Sequence, residues 1–139
     1  MVDILTGINS TTAALTAERT RLDVISQNIA NAHTTHGPDG KPYQRQVVVF
    51  ESVLQKAMDG GPDTPTLQVA RIEKDPRPPE MIYEPGNPDA DEHGMVAMPN
   101  INIHEEMADM ISASRSYQNN VEIMKTAKQM LLTTLRLGQ

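Results

Sequence analysis

Apolar residues recur every seven positions near both ends of the chain and lose that rhythm in between. Toward the N-terminus Ile8, Leu15, Leu22 and Ile29 mark the repeat, with Leu5 and Ile25 filling in. On a helix this spacing gathers the side chains on one face and leaves Glu18, Arg19, Arg21 and Asp23 mostly off it. The pattern predicts a helix from about Ile4 to Ala32. Toward the C-terminus Ile103, Met107, Met110, Ser114, Tyr117, Val121, Met124, Lys128, Leu131 and Leu135 alternate in steps of four and three. They form a heptad seam with two polar interruptions. Ile123, Ala127, Met130 and Leu137 widen the band, so this second helix is expected to meet more than one neighbour. It should run from about Ile103 to Leu137, about 50 Å at 1.5 Å per residue. Asn102 suits its N-cap, with Glu105 three residues on to return a bond to the cap. Lys125, Lys128 and Arg136 suit its negative end, and Gly138 can close it.

Proline divides the chain more sharply than any other residue. All ten prolines lie between Pro38 and Pro99. A ring without an N–H breaks helix interiors, so the ends are free to be long helices and the middle is not. Turn signals punctuate the middle: Gly37-Pro38-Asp39-Gly40, Asp59-Gly60-Gly61-Pro62, Pro78-Pro79 and Glu84-Pro85-Gly86. Strand-like runs lie between them, at Gln46 to Glu51, Leu67 to Ile72 and Met81 to Glu84, enough for a small antiparallel sheet but not for a large core. Lys56 to Thr66 is expected to be disordered in a free monomer. The expected fold is therefore mainly α. Long N- and C-terminal helices (1–32 and 103–139) pack as a coiled-coil-like pair forming one inner helical domain, and a small irregular middle segment (33–102) carries short β-strands.

Propensity adds a qualification. Gly7, Asn9, Ser10 and the threonines at 6, 11, 12, 16 and 20 all rank low as helix formers, so the first helix should depend on a partner for its stability. The 139 residues hold only three Tyr, one Phe and no Trp. Aliphatics and nine methionines must fill the core, which favours helix packing over a compact sandwich.

Charge and composition remove several functions. A net charge of −6 with no Lys/Arg stripe argues against nucleic-acid binding. No cysteine is present, so there is neither a disulfide framework nor thiol chemistry. No apolar run approaches the roughly 20 residues needed to span a bilayer. The start, Met1-Val2-Asp3-Ile4, lacks the basic and apolar regions of a secretory signal, so any export is expected without signal-peptide cleavage.

Candidate chemistry is thin. Asp89-Ala90-Asp91-Glu92-His93-Gly94 begins like a calcium loop, but the fifth position is His93 and the twelfth, where a bidentate acid belongs, is Asn100. His104-Glu105-Glu106-Met107-Ala108 approaches the zinc-protease pattern with its second histidine replaced by Ala108, and a charged first helical turn explains it. His33 and His36 read as a solvated loop. Ser112, Ser114 and Ser116 have no histidine nearby in sequence, and no G-x-S-x-G occurs. No enzyme, metal or cofactor is expected.

The terminal segments resemble a known family. Ala14-Leu15-Thr16-Ala17-Glu18-Arg19 and Leu22-Asp23-Val24-Ile25-Ser26-Gln27-Asn28-Ile29-Ala30-Asn31 are similar to the N-terminal signature of the flagellar rod and hook axial proteins, an amphipathic helix ending in N-x-A-N. Gln27 stands where many members carry Asn. Met110-Ile111-Ser112-Ala113-Ser114-Arg115-Ser116-Tyr117-Gln118-Asn119-Asn120-Val121-Glu122, continuing through Thr126 to Leu131, resembles the family's C-terminal helix. Gly37 to Tyr43 and Tyr83 to Asp91 resemble its bacterial proximal rod proteins in particular. The resemblance implies a structural subunit of the basal-body rod that is exported through the type III apparatus and polymerises through its terminal helices into a torque-transmitting shaft crossing the periplasm. The implied partners are copies of itself, other rod proteins, basal-body base components and the export apparatus. The residues expected at the assembly interface are Ile8, Leu15, Leu22, Ile25, Asn28, Ile29, Asn31, Met107, Met110, Arg115, Tyr117, Val121, Met124, Leu131 and Leu135, with Arg115 and Tyr117 as hot spots. A soluble helical adaptor or export chaperone using the same seams is the alternative.

Overall fold

The computed structural model describes residues 2–55 and 64–137. Two helices, α1 (Val2–Ala30) and α2 (Ile103–Leu137), flank four strands: β1 (Gln46–Gln55), β2 (Thr64–Lys74), β3 (Glu80–Tyr83) and β4 (Met95–Met98). The helices hold 29 and 35 residues, against 10, 11, 4 and 4 in the strands, so the chain is mainly α. No described helix is long and apolar enough to cross a membrane.

The threonines of α1 are accommodated with their hydroxyls turned onto the helix itself. Thr11, Thr12, Thr16 and Thr20 each donate to the carbonyl four residues back, at 2.7–3.0 Å. At its C-terminal end Asn31 donates from Nδ2 to the Gln27 carbonyl (2.9 Å), and its Oδ1 accepts from Thr34 Oγ1 (3.2 Å). The start of α2 is capped by Asn102, whose Oδ1 accepts from the N–H groups of His104 (3.0 Å) and Glu105 (3.4 Å). The return bond expected from Glu105 is not among the described hydrogen bonds, so this is half a capping box. Lys125 pairs with Glu122 at 3.2 Å one turn back. Gly138 lies outside the described residues.

The middle makes two separate two-stranded antiparallel sheets rather than one. β1 and β2 pair from Gln46↔Lys74 to Gln55↔Thr64, with a register shift at Val49/Phe50. Both strands run longer than their sequence runs suggest, and residues 64–66 of the stretch expected to be disordered open β2. The rest of that stretch, 56–63, lies outside the described residues. β3 pairs with β4, from Glu80↔Met98 to Tyr83↔Met95. Their connection is tightly bonded. Asp91 Oδ1 accepts from the N–H groups of His93 (2.8 Å) and Met95 (2.9 Å), which lowers its pKa below the ordinary carboxylate value. Gly94 closes the turn at φ 75°, where a Cβ would meet Tyr83 Cε2 at 3.0 Å.

The helices run antiparallel, since Arg21 meets Asp109 and Asn28 meets Glu106 while Ile8 lies across from Ile123 and Met130. The buried apolar set is small: Ala17, Val24, Ile25 and Ala32 on or just after α1, Val96 in β4 and Ala113 in α2. Its faces differ from the expected seams. On α1 the buried line runs through Ala17, Val24 and Asn28, while Ile8, Leu15, Leu22 and Ile29 are half-buried. At about 100° per residue the buried line sits about 150° around the helix from the seven-residue stripe. On α2 the innermost positions are Glu106 and Ala113, and Met107 is 53% exposed. Glu106 rather than Met107 turns inward because two polar partners wait there for its carboxylate.

Candidate assembly interface

Glu106 is 1% exposed, as is Asn28. A buried carboxylate must be paired and hydrogen-bonded to be tolerated. Its Oε1 accepts from Arg45 Nε at 2.6 Å, and its Oε2 accepts from Asn28 Nδ2 at 3.0 Å. Arg45 immediately precedes β1, and its other nitrogens reach Asp75 (3.6 Å), just past β2, and Asp109 of α2 (3.9 Å). Arg77 binds Asp75 at 2.7 Å, and Arg21 approaches Asp109 at 3.5 Å. With Glu18 also on Arg21 at 3.8 Å, four carboxylates face three guanidinium groups in one connected network.

Asn28 uses its whole amide. Beyond Glu106, Nδ2 donates to the Gln46 carbonyl (2.9 Å), and Oδ1 accepts from the Gln46 N–H (2.9 Å) and from Tyr43 Oη (3.1 Å). The first residue of β1 is thereby clamped by both of its backbone groups. Burial, followed by the charge of Glu106, pushes the Tyr43 phenol up, which keeps it a neutral donor. The Arg77 side chain, then its backbone N–H, holds Asp75 at a pKa of about 2, against an ordinary 3.8.

The expected interface residues fall into three groups. Ile25 and Asn28 are buried within the chain, and Asn31 binds its own helix end. Ile8, Leu15, Leu22, Ile29, Met110, Tyr117, Val121, Met124 and Leu131 are half-buried along the helix pair. Met107 and Leu135 are exposed, the latter by 64%, and Arg115 is exposed with no ion pair among the described residues. Ile111, Ile123, Met130 and Leu132 add further exposed apolar surface to α2. Where the start of α1 meets the end of α2, Gly7, Ile8, Thr11, Ile123, Ala127 and Met130 line an open groove of about 410 Å³. An exposed apolar stretch of this kind on a helix marks a contact surface.

Sequence reasoning missed Arg45 and Glu106. Glu106 reads as a first-turn acid suited to the helix dipole. Its signal was its phase: Glu106, Ala113 and Ala127 share a seven-residue line, two of whose members are small. Arg45 carried no signal, because its partners are 61 and 30 residues away.

No group of three His, Asp or Glu side chains among the described residues is placed to hold a metal ion. Asp91 already accepts two backbone N–H groups. Asp89 accepts from Thr35 Oγ1 (2.6 Å) and faces His36 Nδ1 (3.4 Å), which fastens the β3–β4 connection to the exit from α1.

Comparison with known proteins agrees with this layout. Residues 8–38 match the family model described as flagella basal body rod protein, and residues 92–137 match the C-terminal model of the flagellar basal body rod FlgEFG proteins. The first match covers α1 from residue 8 onward and its exit, and the second spans β4 and α2. The flagellar basal-body rod protein FlgC of Yersinia enterocolitica is 48% identical, over 91% of this chain and 92% of its own. FlgC of Borreliella burgdorferi is 40% identical over 98% of both chains, and that of Bacillus subtilis 35% identical over 96% and 97%. The chain belongs to the FlgC family of flagellar basal-body rod proteins, which are structural components and not enzymes.

Proposed function

We propose that this chain is a structural subunit of the flagellar rod that polymerises through its terminal helices, joining copies of itself and other rod proteins into a shaft across the periplasm. The observation that carries the reading is the incomplete burial of the helix pair. Its apolar residues are closed off around Asn28 and Glu106 and left open toward Ile123, Met130 and Leu135. Neighbouring subunits would complete that burial, and a contact that does not close on itself extends as a helical filament. Residues 1–32 and 103–139 then act as one inner domain with coiled-coil-like contacts in the assembled state, and 33–102 as an outer one. Contact with basal-body base components and passage through the export apparatus without signal-peptide cleavage belong to the same reading. The interface comprises the half-buried and exposed seam residues, with Arg115 and Tyr117 as hot spots.

The test is to express the chain in a flagellated bacterium lacking its own copy and to assay purified basal bodies. The chain should be present in the rod. Arg115→Ala should lower its incorporation while leaving the circular dichroism of the monomer unchanged. A stable one-to-one soluble complex with no rod incorporation would support the adaptor reading instead.

A further inference from the structure

α2 packs its backbone against α1 alone among the described elements, while β1 and β2 pack against α1. Apart from the covalent step through residues 99–102, α2 therefore reaches the strands by side chains. Those side chains converge on one residue. Arg45 takes Glu106 and Asp109 from α2 and Asp75 from just past the end of β2, and Asn28 binds both Glu106 and the backbone of Gln46. One buried cluster thus joins α1, α2 and the base of both long strands.

Apolar contact permits sliding, because burial is non-directional. A guanidinium hydrogen-bonded to a buried carboxylate and an amide clamping both backbone groups of one residue do not, because their bonds are angular. We propose that Arg45, Glu106 and Asn28 are positioning residues that fix the middle segment at one setting on the helix pair, so that twist applied to the helices passes into the strands through this buried tie. The part of the proposal that concerns load rests on the reading of the chain as a rod subunit, whereas the fixed setting belongs to the isolated chain.

The double variant Arg45→Met/Glu106→Leu removes both charges together and leaves no buried charge unpaired, so it retains the fold. The chain has no cysteine, which allows spin labels to be placed through cysteines introduced at the exposed positions Ser112 on α2 and Arg71 on β2. The parent should give one narrow interlabel distance, and the double variant should lose that single peak for a broad distribution. An unchanged narrow peak would overturn the proposal. If the double variant loses helical circular dichroism, Glu106→Leu alone, which removes both bonds of the tie and leaves Arg45 its ion pairs with Asp75 and Asp109, carries the same measurement with the same two outcomes.

In cells, rods containing the variant should assemble, and swimming speed should fall more steeply with medium viscosity than in the parent. Identical viscosity curves from rods that contain the variant would overturn the role under load. Absence of the unmodified chain from basal bodies would overturn the rod reading instead, leaving the spin-label result to decide the fixed setting.

Discussion

The two ends of the helix pair solve the same packing problem in opposite ways. Around Asn28 and Glu106 the inward groups are polar, nearly all of their hydrogen-bonding capacity is met within the chain, and almost nothing is exposed. Around Ile8, Ile123 and Met130 the groups are mostly apolar, with Thr11, Glu122 and Thr126 beside them, no polar bond crosses between the helices among the described residues, and a groove stays open. The first end is specified by directional bonds and is complete in one subunit. The second is adaptable, since methionine fits uneven surfaces, and it is left incomplete. A single chain can therefore hold a defined shape at one end while the other is finished by whatever packs against it.

The contrast can be broken by substitution. Arg45→Met alone should have the largest effect, about 3–5 kcal/mol of unfolding free energy, because it leaves the Glu106 carboxylate buried beside a single amide donor; urea denaturation of the isolated chain measures it. Restoration of stability when Glu106→Leu is added would locate the loss in the stranded charge rather than in lost packing.

Acid should loosen the same end more gently. Asp75 titrates near pH 2 when folded, below its ordinary 3.8. Its contribution is thus fully present above about pH 4 and is lost as pH falls toward 2. The midpoint of urea unfolding should drop across that window, and Asp75→Asn should flatten part of the slope. At the open end, Met130→Ser with Leu135→Ser should shift monomer stability by no more than about 0.5 kcal/mol, as exposed substitutions do. The same pair should nevertheless sharply reduce recovery of the chain in purified basal bodies. A large loss of monomer stability would mean that this end is already closed within the subunit.

The helices were legible because proline confines itself to the middle and the seven-residue rhythm survives outside it. The bounds of α2 coincide with those read from the pattern. Which face turns inward was less legible. A hydrophobic rhythm marks Met107, but the structure buries Glu106, and only the positions of Arg45 and Asn28 in space make that choice intelligible. β4 went unseen because Met95-Val96-Ala97-Met98 holds a single β-branched residue, and its pairing with β3 depends on the turn that Gly94 closes. The signature asparagines announced themselves as a motif. Their spacing did not reveal that Asn28 clamps a strand while Asn31 finishes a helix.

The threonines of α1 have a consequence for how that helix meets its surroundings. Each of the four hydroxyls at 11, 12, 16 and 20 is folded back onto a carbonyl of its own helix. What remains to face outward is largely methyl. At these four positions a residue that reads as polar in the one-letter code thus offers a methyl group and no free hydroxyl donor to desolvate. A neighbour packing there would meet carbon without having to strip water from a hydroxyl.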